Sequence, residues 1–330
     1  MAQTGTRAKP KIAFYWAASC GGCEITVAEL GMRLVEVGEL VDIVLWPCIM
    51  DFKYSDVEAL PDGAIDVCLF NGAIRSSENE HVARLLRRKA RTLIAFGSCA
   101  HEGCIPGLAN LFDAESILAR VYEGVPSLDE SRGTRPAVST CVPEGEIVLP
   151  AFYDRVQTLA QTVHVDYFMP GCPPVVDQVW KVFGALLTGA LPPPGSVIGS
   201  DPKTNCDVCP RKKGEPKQRI KEFKRPHEVV LDPDTCFLTQ GVVCCGPATR
   251  AGCGLPCIQG NFPCRGCYGP PEGVLDQGAK LASALGALID TDDPARLEEI
   301  LSTLVDPAGT FYRFSLADSV LSELRYGAHR

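Results

Sequence analysis

Seventeen cysteines run through this chain of 330 residues, and twelve of them fall into three groups that could bind metal. "SCGGCE" holds Cys20 and Cys23, "GSCA" holds Cys99 and "PGCPP" holds Cys172. A second group has Cys206 and Cys209 in "NCDVCP", Cys236 in "TCFL", and Cys244 or Cys245 in "VCCGP". The third, "CGLPCIQGNFPCRGC", sets Cys253, Cys257, Cys264 and Cys267 on backbone rich in glycine and proline, with no amphipathic period. Thiolates at such spacings are soft metal ligands. The second and third groups each have four-thiol capacity and a close C-x-x-C pair, which suits zinc or a cubane cluster equally.

The first group is scattered, so folded elements must bring it together. Short β-rich runs occur at 11–17 ("KIAFYWA"), 41–47, 65–72, 92–98 and 165–171, with helix-like segments between them at 23–38, 77–90 and 174–188. Near-continuous apolar strands with helical crossovers predict a parallel sheet covered on both faces. Residues 1 to about 190 are therefore expected to form a flavodoxin-like, doubly wound α/β domain. Ligands of such sheets bind beyond the carboxyl ends of the strands. Cys20 and Cys23 follow the first strand, Cys99 the fourth and Cys172 the fifth, so the four should meet at one sheet edge and suit a [4Fe–4S] cluster.

"LPPPGS" (191–196) is a stiff break, and residues 191–330 are expected to form a second domain. Residues 197–270 carry nine of the seventeen cysteines and little periodicity, so this region is expected to lack a conventional core and to fold around what its thiols bind. Helical patterns return at 273–289, 294–305 and 315–324. Of the remaining cysteines, Cys68 lies in an apolar strand and reads as core packing. Cys48, Cys104, Cys141 and the unused member of the 244/245 pair carry no assigned role.

Composition narrows the function. A disulfide framework belongs to small secreted domains, and this chain is long, with no apolar secretory leader or twin-arginine motif at its start. Its apolar runs are too short to span a bilayer, so a cytoplasmic location is expected. A net charge of −8 offers no global field for nucleic acid. "PRKKGEPKQRIKEFKRPHE" (210–228) is a local exception, read as a solvated face or, less simply, as a docking site for an acidic partner.

Taken in order, "CGGCE", "GSCA", "PGCPP", "CDVCP", "CCGPATRAGC" and "PCRGCYGP" resemble the electron-transferring small subunit of [NiFe] hydrogenases. The similarity extends over nearly the whole chain and is nearest to the cytoplasmic methyl-viologen-reducing type, some members of which are coupled to heterodisulfide reductase. The resemblance implies three [4Fe–4S] clusters. Cys20, Cys23, Cys99 and Cys172 would hold a proximal cluster facing a large subunit that carries the nickel–iron site. Cys253, Cys257, Cys264 and Cys267 would hold a medial cluster, and Cys206, Cys209, Cys236 and Cys244 a distal one. Respiratory relatives use histidine where Cys206 stands, and the family motif selects Cys244 over Cys245. A further redox partner, an iron–sulfur or flavin protein, would take the electrons. In a deazaflavin-reducing relative an aspartate ligates the proximal cluster, and Asp51 lies at a comparable place, although a solvated carboxylate is the simpler reading. Glu24 matches the family's C-x-x-C-E and would join a hydrogen-bond or proton route, or cap a helix. The alternatives are a subunit like the quinone-reducing one of respiratory complex I, which lacks the cysteine-rich half, and a zinc-stabilised binding module.

Overall fold

The computed structural model describes residues 9–128, 134–214, 219–289 and 291–322. Five strands, β1 (Lys11–Trp16), β2 (Asp42–Leu45), β3 (Ile65–Asn71), β4 (Ala90–Phe96) and β5 (Tyr167–Met169), form one sheet in the order β2-β1-β3-β4-β5. Every pairing is parallel. This is the flavodoxin-like order, with its crevice at the ends of β1 and β3.

Alternation along the strands builds two cores. Ala13, Tyr15, Cys68, Phe70, Leu93 and Ala95 face one side, where helix α3 (Ser77–Lys89) packs through Val82, Ala83, Leu85 and Leu86. Ile12, Phe14, Leu69, Ile94 and Phe96 face the other, against α1 (Gly22–Ala28), α2 (Met32–Leu40) and α5 (Val176–Thr188). Cys68 is fully buried in the first core, as expected from its strand. The helix expected over 23–38 is two helices, because Gly31 adopts a left-handed φ of 59° that a continuing α-helix cannot hold. α4 (Ser98–Glu102) is a short helix directly after β4.

Between α4 and β5 lies an insertion that periodicity did not announce. It holds a helix at Ala114–Tyr122, a small hairpin of Ser139–Val142 and Gly145–Val148, and a strand at Phe152–Gln157 that pairs with Ile74–Ser76.

The second half departs from one expectation. Ile220, Phe223, Phe237, Leu238, Val242, Ile258, Leu281, Leu285 and Ile300 form an apolar cluster, with Cys244, Cys245 and Cys264 buried in it. Six of these nine lie within 197–270 itself, and α6 (Gln277–Gly286) and α7 (Pro294–Ser302) beyond it supply Leu281, Leu285 and Ile300. Asp276 and Asp293 cap these helices through side-chain oxygens that accept from Ala279 and Ala295 N–H. The helix expected at 315–324 is only a 3-10 turn at Leu316–Asp318 followed by helical residues 320–322; residues 323 and 324 lie outside those described.

Register matters most at the carboxyl edge. Trp16 pairs with Asn71, Asn71 with Phe96, and Phe96 with Met169, so the strand ends are level. Gly97 follows at φ 83°, ψ 161°, a region almost reserved for glycine, and a Cβ there would overlap Cys23 Sγ. Gly97→Ala is therefore expected to destabilise the protein by about 1–3 kcal/mol from backbone strain alone. Gly184→Ala, where a Cβ in α5 meets nothing, should stabilise it by about 0.5–1 kcal/mol. Unfolding midpoints of the two variants, measured side by side, check this opposition.

Candidate metal centres

The level strand ends deliver the first thiol group to one place. Cys20 lies on the turn into α1 and Cys23 in its first turn, Cys99 in the first turn of α4 and Cys172 just past β5. Cys23 has Cys99, Cys172 and Cys20 as electrostatic neighbours, and burial is the largest influence raising its pKa. Cys20 Sγ accepts from Gly22 N–H at 3.4 Å. Ser98 locks the loops together: its hydroxyl donates to the Cys267 carbonyl at 2.6 Å and accepts from Gly171 N–H at 3.1 Å.

A fifth thiol joins these, and spacing did not single it out. Cys104 is completely buried and sits at a left-handed φ of 47°, and its thiol pKa is raised, most by Cys172 and then by Cys99 beside it. It packs with Phe314, Cys99, Cys172 and Cys267 as one cluster. Its backbone N–H donates to the Phe314 carbonyl at 3.1 Å, which ties this corner to the C-terminal segment. The only sequence signal was an unassigned cysteine five residues after Cys99.

Glu24 does not cap a helix. Its carboxylate is 6 % exposed and accepts from Trp46 Nε1 at 2.6 Å and Asn71 Nδ2 at 3.5 Å. Burial raises its pKa, while those two hydrogen bonds oppose the rise. Asp51 is exposed beyond β2.

The third group lines a cavity of about 360 Å³. Cys253, Cys257, Cys264 and Cys267 are all on its wall, and so is Cys172 of the first group. Tyr268 braces this segment against the sheet: its hydroxyl donates to Gln178 Oε1 at 2.7 Å and accepts from Val175 N–H at 3.0 Å.

Cys206, Cys209, Cys236 and Cys244 line a narrower cavity together with Cys264 of the third group. Gly246 closes on it, where a Cβ would lie 3.0 Å from Cys206 Sγ and 3.6 Å from Cys244 Sγ. Cys245 faces elsewhere, into a small cavity beside Gln277, Leu281 and Phe314. Asn205 stands between the second and third groups. Its amide donates to Cys264 Sγ at 3.4 Å, and its carbonyl oxygen lies 3.9 Å from Cys253 Sγ.

The basic stretch is partly used inside the protein. Arg211 is buried, donates to the Asp232 and Thr235 carbonyls at 2.9 and 2.8 Å and to Asn261 Oδ1 at 2.6 Å, and stacks over Phe237. Lys213 Nζ donates to the Cys206 carbonyl at 3.1 Å. Neither is spare for docking in the way a solvated cation is, and residues 215–218 of the stretch lie outside those described.

These sites fit iron–sulfur clusters on donor chemistry. Burial pushes the Cys206 thiol up to about 12 despite Lys213, and it pushes Cys244 and Cys267 upward too. Thiols placed together under that penalty ionise when a cationic metal core lies among them. Glycines at 97 and 246 leave the room beside the sulfurs that a side chain would take. Among the described residues, no three His, Cys, Asp or Glu side chains close on a single metal ion; the thiols line shared cavities instead.

Comparison with known proteins gives the same direction. Residues 20–186 match the family described as NADH ubiquinone oxidoreductase, 20 Kd subunit. The iron-sulfur subunit of the F420-non-reducing hydrogenase of Archaeoglobus profundus is 39 % identical over 95 % of this chain and 98 % of its own length. A subunit of the F420-non-reducing hydrogenase of Methanothermobacter thermautotrophicus is 36 % identical over 95 % of this chain and 96 % of its own. In fold, the chain is similar to the recombinant [NiFeSe] hydrogenase of Desulfovibrio vulgaris Hildenborough, with a TM-score of 0.51 and 16 % identity over 81 % of this chain and 96 % of that one. The family match ends at residue 186, whereas the two curated relatives also take in the cysteine-rich half. The chain belongs to the family of F420-non-reducing hydrogenase iron-sulfur subunits, a [NiFe] hydrogenase small-subunit type.

Proposed function

We propose that this chain relays electrons between the nickel–iron site of a partner large subunit and a further redox partner, through three [4Fe–4S] clusters. The observation that carries this reading is the sharing of thiols between neighbouring sites. Cys172 stands on the wall of the medial cavity, and Cys264 on the walls of both the medial and distal cavities. Such sharing supports a linear order of proximal, medial and distal sites.

Cys20, Cys23, Cys99 and Cys172 would hold the proximal cluster at the sheet edge, beside the large subunit. Cys253, Cys257, Cys264 and Cys267 would hold the medial one, and Cys206, Cys209, Cys236 and Cys244 the distal one. Such clusters supply one-electron storage at potentials set by charge, hydrogen bonds and exposure. The protein's part is to fix the thiolates, exclude water and place charge. Asn205 donates toward the medial group, Lys213 adds positive charge beside the distal group, and buried Glu24 offers a carboxyl for proton movement near the proximal edge. The hydrogen-splitting metals belong to the partner. The redox partner is an iron–sulfur or flavin protein, of the kind found with heterodisulfide reductase. Residues 1–190 and 191–330 act as two domains, one for each end of the line. The protein works in the cytoplasm, and among the described residues no helix is long and apolar enough to cross a membrane.

Three outcomes test this reading. Anaerobically purified protein should contain about twelve iron and twelve sulfide per chain by quantitative analysis; a zinc-dominated preparation without sulfide would sink it. In the assembled hydrogenase, Cys209→Ser should lower acceptor reduction on the order of tenfold or more while hydrogen–deuterium exchange at the nickel–iron site continues. Spectroscopy must first show that the distal signal has changed, and intact acceptor reduction after its loss would refute the exit assignment. Cys104→Ala should leave iron content near its original value but lower the reduction potential of the proximal cluster, because the one S–H packed against the Cys99 and Cys172 sulfurs and able to donate to a ligand sulfur is lost. Redox titration of the proximal signal reads this directly.

A further inference from the structure

Beside the third thiol group, and sharing Arg265 with its wall, a cavity of about 800 Å³ opens between the end of the basic stretch and the C-terminal helices. Four cations and a histidine line it, Lys224, Arg225, Arg265, Arg313 and His227, together with one carboxylate, Asp306. The acidic groups nearby are Glu222, Glu228 and Asp306. Glu222 pairs with Lys224 at 2.7 Å, and Glu228 lies 4.0 Å from His227 and takes the Arg225 backbone N–H. Asp306 Oδ1 accepts the Gly309 N–H at 2.9 Å as a helix cap.

Arg225, Arg265 and Arg313 line the cavity with no ion pair within 4 Å among the described residues, and of the three Arg265 and Arg313 are half-buried. Arg265 leans over the Phe262 ring at 5.8 Å and has no ion pair among the described residues. Arg313 donates through Nε to the Gly309 carbonyl at 3.1 Å. Arg265 and Arg313 also stand together on the wall of the small cavity beside Cys245; burial and then Arg265 lower the pKa of Arg313, while Cys245 and Asp306 oppose this. Like charges held together and half-buried are unfavourable unless an anion lies between them. Planar guanidinium forks match phosphate in particular.

We propose that this cavity binds a phosphate-bearing ligand of nucleotide size, its phosphate held by Arg265 and Arg313 and its ring against Phe262. The volume lies in the range of small-molecule sites, and Phe262 is 42 % exposed at the wall. An acidic protein surface would meet the rim cation Arg225 before reaching the half-buried pair. Arg265 also lines the cavity of the third thiol group, whereas Arg313 does not, so Arg313 is the residue whose change separates this site from the electron-transfer reading.

The test is calorimetric titration of the anaerobic assembled complex with ATP, inorganic pyrophosphate and poly-glutamate in turn. ATP should bind saturably and more tightly than pyrophosphate. Arg313→Gln should weaken ATP by about tenfold or more, since charge-assisted bonds are lost. If that variant fails to assemble, Arg313→Lys keeps the charge but loses the fork, and it should also weaken ATP. Absence of saturable ATP binding, or unchanged affinity in the assembled Arg313 variants, overturns the proposal. Binding of poly-glutamate alone overturns it in favour of a protein-docking surface. Pyrophosphate binding as tightly as ATP overturns the nucleotide assignment and leaves an inorganic phosphate site.

Discussion

A buried thiol ionises poorly, and this protein buries many of them side by side. Cys23, Cys244 and Cys267 are all shifted upward by loss of water, with neighbouring thiols adding to the effect. In an apolar core that arrangement gains nothing over valine or alanine, which would carry no such penalty. It becomes favourable once a metal core supplies the positive charge. The rest of the architecture serves this constraint. Level strand ends bring distant thiols together, left-handed glycines admit an inorganic core, and hydrogen bonds from Ser98 and Asn205 hold the loops that carry the sulfurs.

The two halves are joined by the same groups that build the sites. Ser98 and Gly171 belong to the sheet edge, yet the Ser98 hydroxyl is bonded to the Cys267 carbonyl. Tyr268, next in the chain, reaches Gln178 and Val175 at the start of α5. Cys104 is tied through its backbone to Phe314. The chain thus couples its first and third thiol groups through short, directional contacts.

Much of this was legible in the sequence, for physical reasons. β1, β3 and β4 are apolar runs of near-strand length, and a parallel sheet buried on both faces admits little else. Strand ends predict where ligands gather, so Cys20, Cys23, Cys99 and Cys172 could be placed together from the order of the strands. The choice of Cys244 over Cys245 came from family likeness, and the fold puts Cys244 on the wall with Cys206, Cys209 and Cys236. Other features were hidden. The apolar cluster around Phe223, Phe237 and Leu281 draws on residues about sixty apart, which no local period reveals. Cys104 carries no motif; its importance appears only when the turn after α4 folds it against Cys172. Arg211 looked like part of a solvated charge run, and only the fold shows it inside.

Arg211 has a consequence for any charge that arrives nearby. Its guanidinium is fixed by two carbonyls, an amide oxygen and the face of Phe237, and it lines the cavity of Cys206, Cys209, Cys236 and Cys244. A positive charge clamped in this way cannot swing toward an incoming electron, nor relax when the electron leaves. Water or a free lysine would reorient at each event, and that motion is the main resistance to fast transfer. A dipolar environment set in advance removes much of it. For the electron transfer proposed at this site, the clamp on Arg211 would favour speed: it offers a constant field with little nuclear rearrangement on either side of the exchange.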